Sequence, residues 1–128
     1  MCGIFTSNNP RAKKEILSLT NHRGPDHTAW LKVNDWSFGH NRLSVIDLDH
    51  RSDQPMQSID GRYTIVFNGE IYNFQEIKNS LMDTYPFRTQ SDTEVILANY
   101  IAKGVQCLDD FRGMFAFVIY DRKEDMVF

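Results

Sequence analysis

Short apolar stretches rich in β-branched and aromatic residues recur along this chain, and polar or glycine-containing turns separate them. Such stretches are typical of β-strands. They predict strands at residues 2–7, 27–33, 36–46, 62–69 and 111–121. The pair Asn34-Asp35 predicts a hairpin between the second and third strands. Asn68-Gly69 favours positive φ, so we expect the fourth strand to end there, and the apolar character of the fifth predicts burial on both faces.

The segments between these strands have the composition of helices. We predict helices at residues 10–22, 72–83 and 93–103, the first with Ile16, Leu17 and Leu19 on its buried side. Asn73 with Glu76, and Ser91 with Glu94, have the three-residue spacing of capping pairs. Gly104 is expected to stop the third helix. Strands that precede a mixture of helices and strands indicate a layered α+β fold.

The C-terminal residues suggest that the fold continues. A turn at residues 122–125 leads into a strand that has hardly begun. We therefore expect this chain, residues 1–128, to be one partial domain of a longer protein, or an unusually short version of its fold.

Composition narrows the class of protein. The 128 residues are 41% hydrophobic and 24% charged, which is ordinary for one soluble globular domain. A net charge of −3 argues against nucleic acid as the main partner, and no apolar run is long enough to span a membrane. Two cysteines, Cys2 and Cys107, are too few for a disulfide framework and favour a reducing, cytoplasmic setting, with Cys107 as a small core residue. The four histidines lack metal-ligand spacing, so we predict no metal site.

Cys2 is the first candidate for chemistry. Removal of Met1 would make it the first residue, so that one residue carries both a thiol and a free α-amine. An α-amine has an unperturbed pKa of roughly 7.7–8.0, which makes it a base close to neutrality. A thiol with its own base is a compact nucleophile. The alternative is that Cys2 only begins a strand.

Two more clusters could serve acyl transfer, and each has an alternative. Asn68 and Gly69 could direct a side-chain amide and a backbone N–H at one point, as an oxyanion hole requires, or they could form a plain hairpin turn. Arg42 lies in an otherwise apolar strand, where an unpaired charge is costly. It could bind a substrate carboxylate or form a structural ion pair with an aspartate.

Two further clusters contain carboxylates. Asp92 lies at a helix start, where capping explains it, although it could also hold a substrate ammonium group. Arg23 and Asp26 bracket the turn HRGPD, which suggests a salt bridge that locks the turn. Taken together, the nucleophile, its base, two oxyanion donors, an anion binder and a cation binder describe a site that hydrolyses the side-chain amide of an amino acid. Glutamine fits such a site, with its α-carboxylate at Arg42 and its α-ammonium group at Asp92.

The motifs CGIF, HRGPD, GHNRLSVID, QPM, NGEIYN, SDTEVI and FRGMFAFVIYD occur in this order. Over all 128 residues the chain thereby resembles class II (N-terminal-nucleophile) glutamine amidotransferase domains, and within that class the glutamine-hydrolysing asparagine synthetase type. The resemblance implies an Ntn-hydrolase fold, a four-layer α/β/β/α sandwich that we expect to be truncated at its C-terminus. It also implies an enzyme that releases ammonia and glutamate through a cysteinyl thioester.

The resemblance assigns the residues as follows. Cys2 is the nucleophile after Met1 is removed, and Asn68 with Gly69 forms the oxyanion hole. Glutamine would be contacted by Arg42, Leu43, Ser44, Val45, Ile46, Asn68, Gly69, Glu70 and Asp92, the last of these taking its ammonium group. The ammonia would pass to a synthetase domain that amidates aspartate.

Several expectations concern what lies outside the site. The chain has no glycine-rich phosphate loop, so we expect no cofactor here, with ATP and magnesium used only by the synthetase domain. A homodimer is left open. Two alternatives to the aspartate-amidating enzyme are an inactive glutamine-binding or assembly module, and an amidotransferase domain that serves a sugar or a peptide-like acceptor.

Overall fold

Seven strands and two α-helices make up the structure, a computed structural model that describes residues 1–128. The strands are β1 (Gly3–Ser7), β2 (His27–Val33), β3 (Trp36–Arg42), β4 (Met56–Gln57), β5 (Tyr63–Ile71), β6 (Gly113–Asp121) and β7 (Met126–Val127). The helices are α1 (Phe74–Leu81) and α2 (Asp92–Lys103), and 3₁₀-helices cover Lys14–Arg23, His50–Ser52 and Gly104–Asp110. The first sheet has the order β1-β3-β2 and the second β4-β5-β6-β7, all antiparallel.

The two sheets pack face to face, and helical segments cover both outer faces. Val33 and Phe38 of the first sheet contact Val66 and Tyr120 of the second. On the outer face of the second sheet, α1 and α2 bury a cluster of 13 residues that includes the predicted core residue Cys107. The predicted α+β sandwich of four layers is therefore confirmed, although a 3₁₀-helix supplies its first layer. No helix is both long and apolar enough to cross a membrane.

The first predicted helix, residues 10–22, was wrong in type and in its start. The segment is a 3₁₀-helix that begins at Lys14. Leu17 is buried against Gly39, but Ile16 and Leu19 are 40% and 72% exposed. Without an apolar stripe to pack on the sheet, this segment has too little burial to stabilise a longer α-helix.

The lengths of two strands also differ from the prediction. The third strand ends at Arg42 and not at residue 46, because the residues that follow turn around the Arg42 guanidinium, and their carbonyls accept hydrogen bonds from it. The fourth continues through Asn68-Gly69 to Ile71, paired with β6 throughout. The plain hairpin turn at Asn68-Gly69 was therefore wrong, whereas the hairpin at Asn34-Asp35 is confirmed by the pairing of β2 with β3.

One predicted capping pair is absent and the other is half present. Asn73 makes no capping bond, because its amide joins residues 110 and 112 of the neighbouring segment. Ser91 caps α2 by accepting from the N–H two residues on. Glu94, its expected partner, accepts instead from the N–H groups of Arg88 and Thr89, and so fixes the segment that enters α2.

The last long strand is buried on both faces only near its C-terminal end. Ile119 and Tyr120 are 1% and 0% exposed, but Met114 is 67% exposed. The first sheet covers β6 near Tyr120 and does not reach Met114, so the prediction of full burial was wrong for the first half of the strand. The turn at residues 122–125 does lead into β7, as expected.

Candidate functional site

A cavity of about 240 Å³ opens where β1, the loop after β3, the end of β5 and the start of α2 meet. This volume lies just below the roughly 300–1,000 Å³ of pockets for drug-sized ligands and suits a small metabolite. Eight of the ten residues proposed from sequence line it: Cys2, Arg42, Leu43, Val45, Ile46, Gly69, Glu70 and Asp92. The two that do not line it are Ser44 and Asn68.

Cys2 lies immediately before β1, and the loop after β3 fixes its thiol. Its Sγ accepts the N–H of Leu43 at 3.3 Å, and its S–H donates to the carbonyl of the same residue at 3.8 Å. The Nε–H of Arg23 donates to the Cys2 carbonyl at 3.1 Å. Met1 lines the same cavity, so its removal would leave the freed α-amine of Cys2 at the cavity wall.

The turn HRGPD holds the site together, but the predicted salt bridge between Arg23 and Asp26 is absent. Arg23 binds the Cys2 carbonyl, and the Asp26 carboxylate accepts the N–H of Ser44 at 2.7 Å. The N–H of Asp26 also donates to the Arg42 carbonyl at 3.0 Å. The two charged residues therefore fix the nucleophile and the cavity loop rather than each other. This explains why Ser44 faces the turn and not the cavity.

Arg42 forms the structural ion pair that was its alternative role. Its Nη1 lies 2.5 Å from Asp53 Oδ1 and also donates to the Asp49 carbonyl. Its Nη2 donates to the carbonyls of Ile46 and Asp47. These four bonds leave one N–H, on Nε, without a protein acceptor. A role for Arg42 in binding a substrate carboxylate stays a prediction, and it would rest on that remaining donor.

Asn68 and Gly69 lie inside β5, beside the first residues of β6. A Cβ on Gly69, whose φ is +150°, would lie 2.2 Å from the Met114 carbonyl, so only glycine permits this approach of the two strands. The Oδ1 atom of Asn68 is buried without a donor. Its Nδ2 forms no hydrogen bond within the protein, but Asn68 does not line the cavity, so its part in an oxyanion hole stays a prediction.

Two carboxylates lie at the other side of the cavity. Asp92 is 5% exposed, and its carboxylate accepts the N–H of Ile71 at 3.1 Å. Burial raises the pKa of Asp92, and the neighbouring Glu70 charge raises it further, against the opposing effect of the Ile71 hydrogen bond. No basic side chain pairs with Asp92. A buried carboxylate without a counter-ion favours a cationic ligand such as an ammonium group.

Gln54 is a cavity residue that the sequence analysis did not assign, although it begins the motif QPM. Its Oε1 accepts the N–H of Phe67 at 2.6 Å, and its Nε2 donates to Thr93 Oγ1 at 3.2 Å. It therefore joins β5 to the first turn of α2. No local signal distinguishes such a buried glutamine from an exposed loop residue, because its partners are 13 and 39 residues away.

This arrangement of one thiol, a glycine of β5 and two carboxylates around a small cavity is compatible with an amide-hydrolysing acyl-transfer site. The sequence profile of the glutamine amidotransferase domain matches residues 1–128. The chain belongs to that family.

The chain is similar to glutamine-hydrolysing asparagine synthetases. It is 41% identical to asparagine synthetase B of Escherichia coli over 111 residues, which are 87% of this chain and 20% of that protein. It is 39% identical to asparagine synthetase 1 of Bacillus subtilis over 116 residues, 90% of this chain and 18% of that protein. The chain thus spans about a fifth of the length of these relatives.

A solved structure confirms the fold. The chain superposes on glutamine phosphoribosylpyrophosphate amidotransferase from B. subtilis with a TM-score of 0.58 and 24% identity, over 69% of this chain and 21% of that one. At this level of identity the likeness establishes the Ntn-type fold alone.

Proposed function

We propose that the chain hydrolyses glutamine through a cysteinyl thioester and supplies the ammonia to a synthetase domain. The observation that carries the proposal is the position of the Cys2 thiol on one cavity whose wall also includes Asp92, a buried carboxylate without a counter-ion. A substrate with an ammonium group at one end and an amide at the other, as in glutamine, spans these two groups.

Substrate binding would use both sides of the cavity. Asp92 and Glu70 would hold the α-ammonium group, and the Nε–H of Arg42 would donate to the α-carboxylate. Leu43 and the residues up to Ile46 would form the wall along the substrate chain.

The first half of the reaction forms the thioester. The α-amine of Cys2, freed by removal of Met1, accepts the thiol proton, and the sulfur attacks the side-chain carbonyl carbon. The Asn68 amide and the Gly69 N–H stabilise the oxyanion, a contribution worth on the order of 10²–10³ in rate for each donor. The carbon–nitrogen bond then breaks, and the leaving nitrogen takes the proton from the α-amine and departs as ammonia.

The second half releases glutamate. The α-amine takes a proton from a water molecule, whose oxygen attacks the thioester carbonyl. The carbon–sulfur bond breaks, and the proton returns to the sulfur. Cys2 is thereby restored with its thiol and its amine for another cycle.

The relatives support the proposed destination of the ammonia. They carry the name asparagine synthetase, so we assign aspartate as the acceptor, in a synthetase domain where ATP and magnesium would act. None of the steps assigned to this chain uses a cofactor. The free thiols of Cys2 and Cys107 support a reducing, cytoplasmic setting.

Replacement of each cysteine tests the proposal. Cys2→Ala is expected to abolish release of glutamate from glutamine, measured on the purified chain. Cys107→Ala is the matched control, because Cys107 is the other free cysteine and lies in the core away from the cavity. Substantial hydrolysis by Cys2→Ala, or equal losses in the two variants, would refute the assignment.

A further inference from the structure

The two charged sides of the cavity come from segments that lie far apart in sequence. Residues 42–46 end β3 and form the loop that follows it, whereas Asp92 begins α2. No strand pairing joins these segments. Side-chain hydrogen bonds connect them instead. The proposed function needs their separation to be well defined, because glutamine carries its α-carboxylate and α-ammonium groups on a single carbon.

Asp47 connects the two segments directly. It follows Ile46 of the cavity wall, and its Oδ2 accepts the N–H of Gln90 at 2.7 Å, two residues before Asp92. The carbonyl of Asp47 accepts a hydrogen bond from Arg42 Nη2. One residue thus contacts both the arginine of the first segment and the chain that leads into Asp92.

The local geometry holds the Asp47 carboxylate in one position. Its Oδ2 also accepts the Ser52 hydroxyl at 2.7 Å, and its Oδ1 accepts the N–H of Asp49 at 3.2 Å. Partial burial disfavours the charged form, but the hydrogen bonds from Gln90, Ser52 and Asp49 outweigh it and lower the pKa of Asp47. The backbone has φ +50°, a left-handed conformation that aspartate tolerates better than most residues.

Two other hydrogen bonds join the same regions. Gln54 reaches Thr93, inside the first turn of α2, and Arg88 donates to the Gln57 carbonyl. Neither contacts Arg42. Asp47 differs from both, because it is itself hydrogen-bonded to Arg42 and to Gln90, which lies just before Asp92.

We infer that Asp47 is a positioning residue that sets the distance between the carboxylate-binding and ammonium-binding sides of the cavity, and so makes the site selective for an α-amino acid. The inference rests on the proposed function. Removal of the Asp47 carboxylate breaks the link between the cavity loop and Gln90. The segment before Asp92, which Glu94 and Lys78 still fix to the helices, can then shift relative to the loop, whereas the ion pair of Arg42 with Asp53 still holds the carboxylate side. The loss therefore falls mainly on recognition of the ammonium group.

The test compares two ligands that differ only in that group. Glutaramate keeps the carboxylate and the side-chain amide of glutamine but lacks the α-ammonium. Dissociation constants for both are measured by calorimetry in the Cys2→Ala background, and kcat/KM for both is measured with Cys2 intact. The variants are Asp47→Ala, Asp47→Asn, which keeps an acceptor oxygen for the Gln90 N–H, and Asp60→Ala. Asp60 is the control because its carboxylate accepts a hydroxyl and a backbone N–H in a turn away from the cavity.

The preference for glutamine over glutaramate is expected to fall at least about tenfold in Asp47→Ala, the change typical of losing one charge-assisted hydrogen bond. Asp47→Asn should retain most of the preference, and Asp60→Ala all of it. An unchanged preference in a folded Asp47→Ala, or equal losses for the two ligands, would overturn the inference. A parent chain that binds with this preference but does not hydrolyse glutamine would refute the proposed function alone. A parent chain that binds neither ligand would refute both.

Discussion

The Sγ atom of Cys2 lies 3.3 Å from the backbone N of Leu43 and 3.8 Å from its carbonyl oxygen, so one residue of the cavity wall contacts the thiol through both backbone groups. Leu43 directly follows Arg42 at the end of β3. The nucleophile and the loop that would hold the substrate are therefore fixed to each other before any ligand binds. Such preorganisation lets binding place the reacting carbonyl beside the sulfur.

Arg23 is expected to support turnover without contacting the substrate. Its Nε–H donates to the Cys2 carbonyl at 3.1 Å, so Arg23→Ala frees the first residue of the chain. Loss of a hydrogen bond from a charged group costs about 1.5–3 kcal/mol, and we expect kcat to fall by about tenfold or more while KM changes little. Steady-state glutaminase kinetics check this. A rise in KM at unchanged kcat would place Arg23 in substrate binding.

Asn68 is expected to act on the transition state. Asn68→Ala removes the side-chain amide, and kcat should fall by about 10²–10³ with a small change in KM, because the oxyanion exists only after attack by the sulfur. Asn68→Asp is the matched variant, since it keeps the shape but places a carboxylate beside the developing negative charge. Equal effects of Asn68→Ala on KM and kcat would argue against an oxyanion role.

The charge of Asp92 is expected to lower the stability of the free chain and to strengthen glutamine binding. Its pKa is raised in the folded chain, so the protonated form is favoured there, and the resulting stability is lost as pH rises through the folded pKa. Asp92→Asn imitates the protonated form. We therefore expect Asp92→Asn to raise the melting temperature of the free chain at pH 7, by a few degrees for about 1 kcal/mol, and to weaken glutamine binding.

The pH dependence provides the control for Asp92. The difference in melting temperature between the parent chain and Asp92→Asn should shrink as the pH falls, because the raised pKa lets the parent carboxyl become protonated at a higher pH than an ordinary aspartate. The affinity of the parent chain for glutamine should fall over the same range. A lower melting temperature for Asp92→Asn at pH 7 would mean that the protein alone stabilises the charge of Asp92. The argument that this carboxylate binds a cationic ligand would then fail.

Because His40 is buried, we expect the free energy of unfolding of the chain to fall in acid. His40 is 0% exposed, and burial lowers its pKa to about 4. The unfolded chain takes up this proton near pH 6.5, so the stability contributed by neutral His40 is lost as pH falls from about 6.5 to about 4. The full effect is about 3 kcal/mol, from about 1.4 kcal/mol for each pKa unit.

Urea unfolding between pH 4 and pH 7 measures this effect. His40→Leu should flatten the pH dependence of the free energy of unfolding, whereas His22→Leu, at an exposed histidine, should leave its slope as in the parent chain. The same slope in His40→Leu as in the parent chain would assign the acid sensitivity to other groups.

The sequence predicted the elements whose apolar patterns are strong and local. The hairpin at Asn34-Asp35 and the helix that stops at Gly104 have turn or capping residues within a few positions, and both are present. The prediction of the first helix failed because Leu17, which packs on the distant Gly39, is the one buried residue of the segment. The strand through Asn68-Gly69 was predicted too short because its pairing with β6 outweighs the local preference for a turn.

The chemistry-bearing residues of the site could be recognised individually, but most of their partners could not. Cys2 is marked by its position and Asp92 by the start of a helix. Arg23 donates to Cys2, 21 positions away, and Asp26 accepts from Ser44, 18 positions away. Nothing in the local sequence favours these distant bonds over a salt bridge between Arg23 and Asp26, which are close in sequence. The sequence predicted that Arg42 could pair with an aspartate, but it did not indicate that the partner is Asp53.

The measurement that tests the central claim most directly is the intact mass of the purified chain before and after treatment with 6-diazo-5-oxo-L-norleucine, a diazo-ketone analogue of glutamine. The account predicts a chain that lacks Met1 and gains one adduct, which maps to Cys2 and is prevented by excess glutamine. Cys107 should remain unmodified, because it is fully buried. A chain that lacks Met1 and gains no adduct, or an adduct that glutamine does not prevent, would contradict the claim that these residues form a glutamine-hydrolysing site.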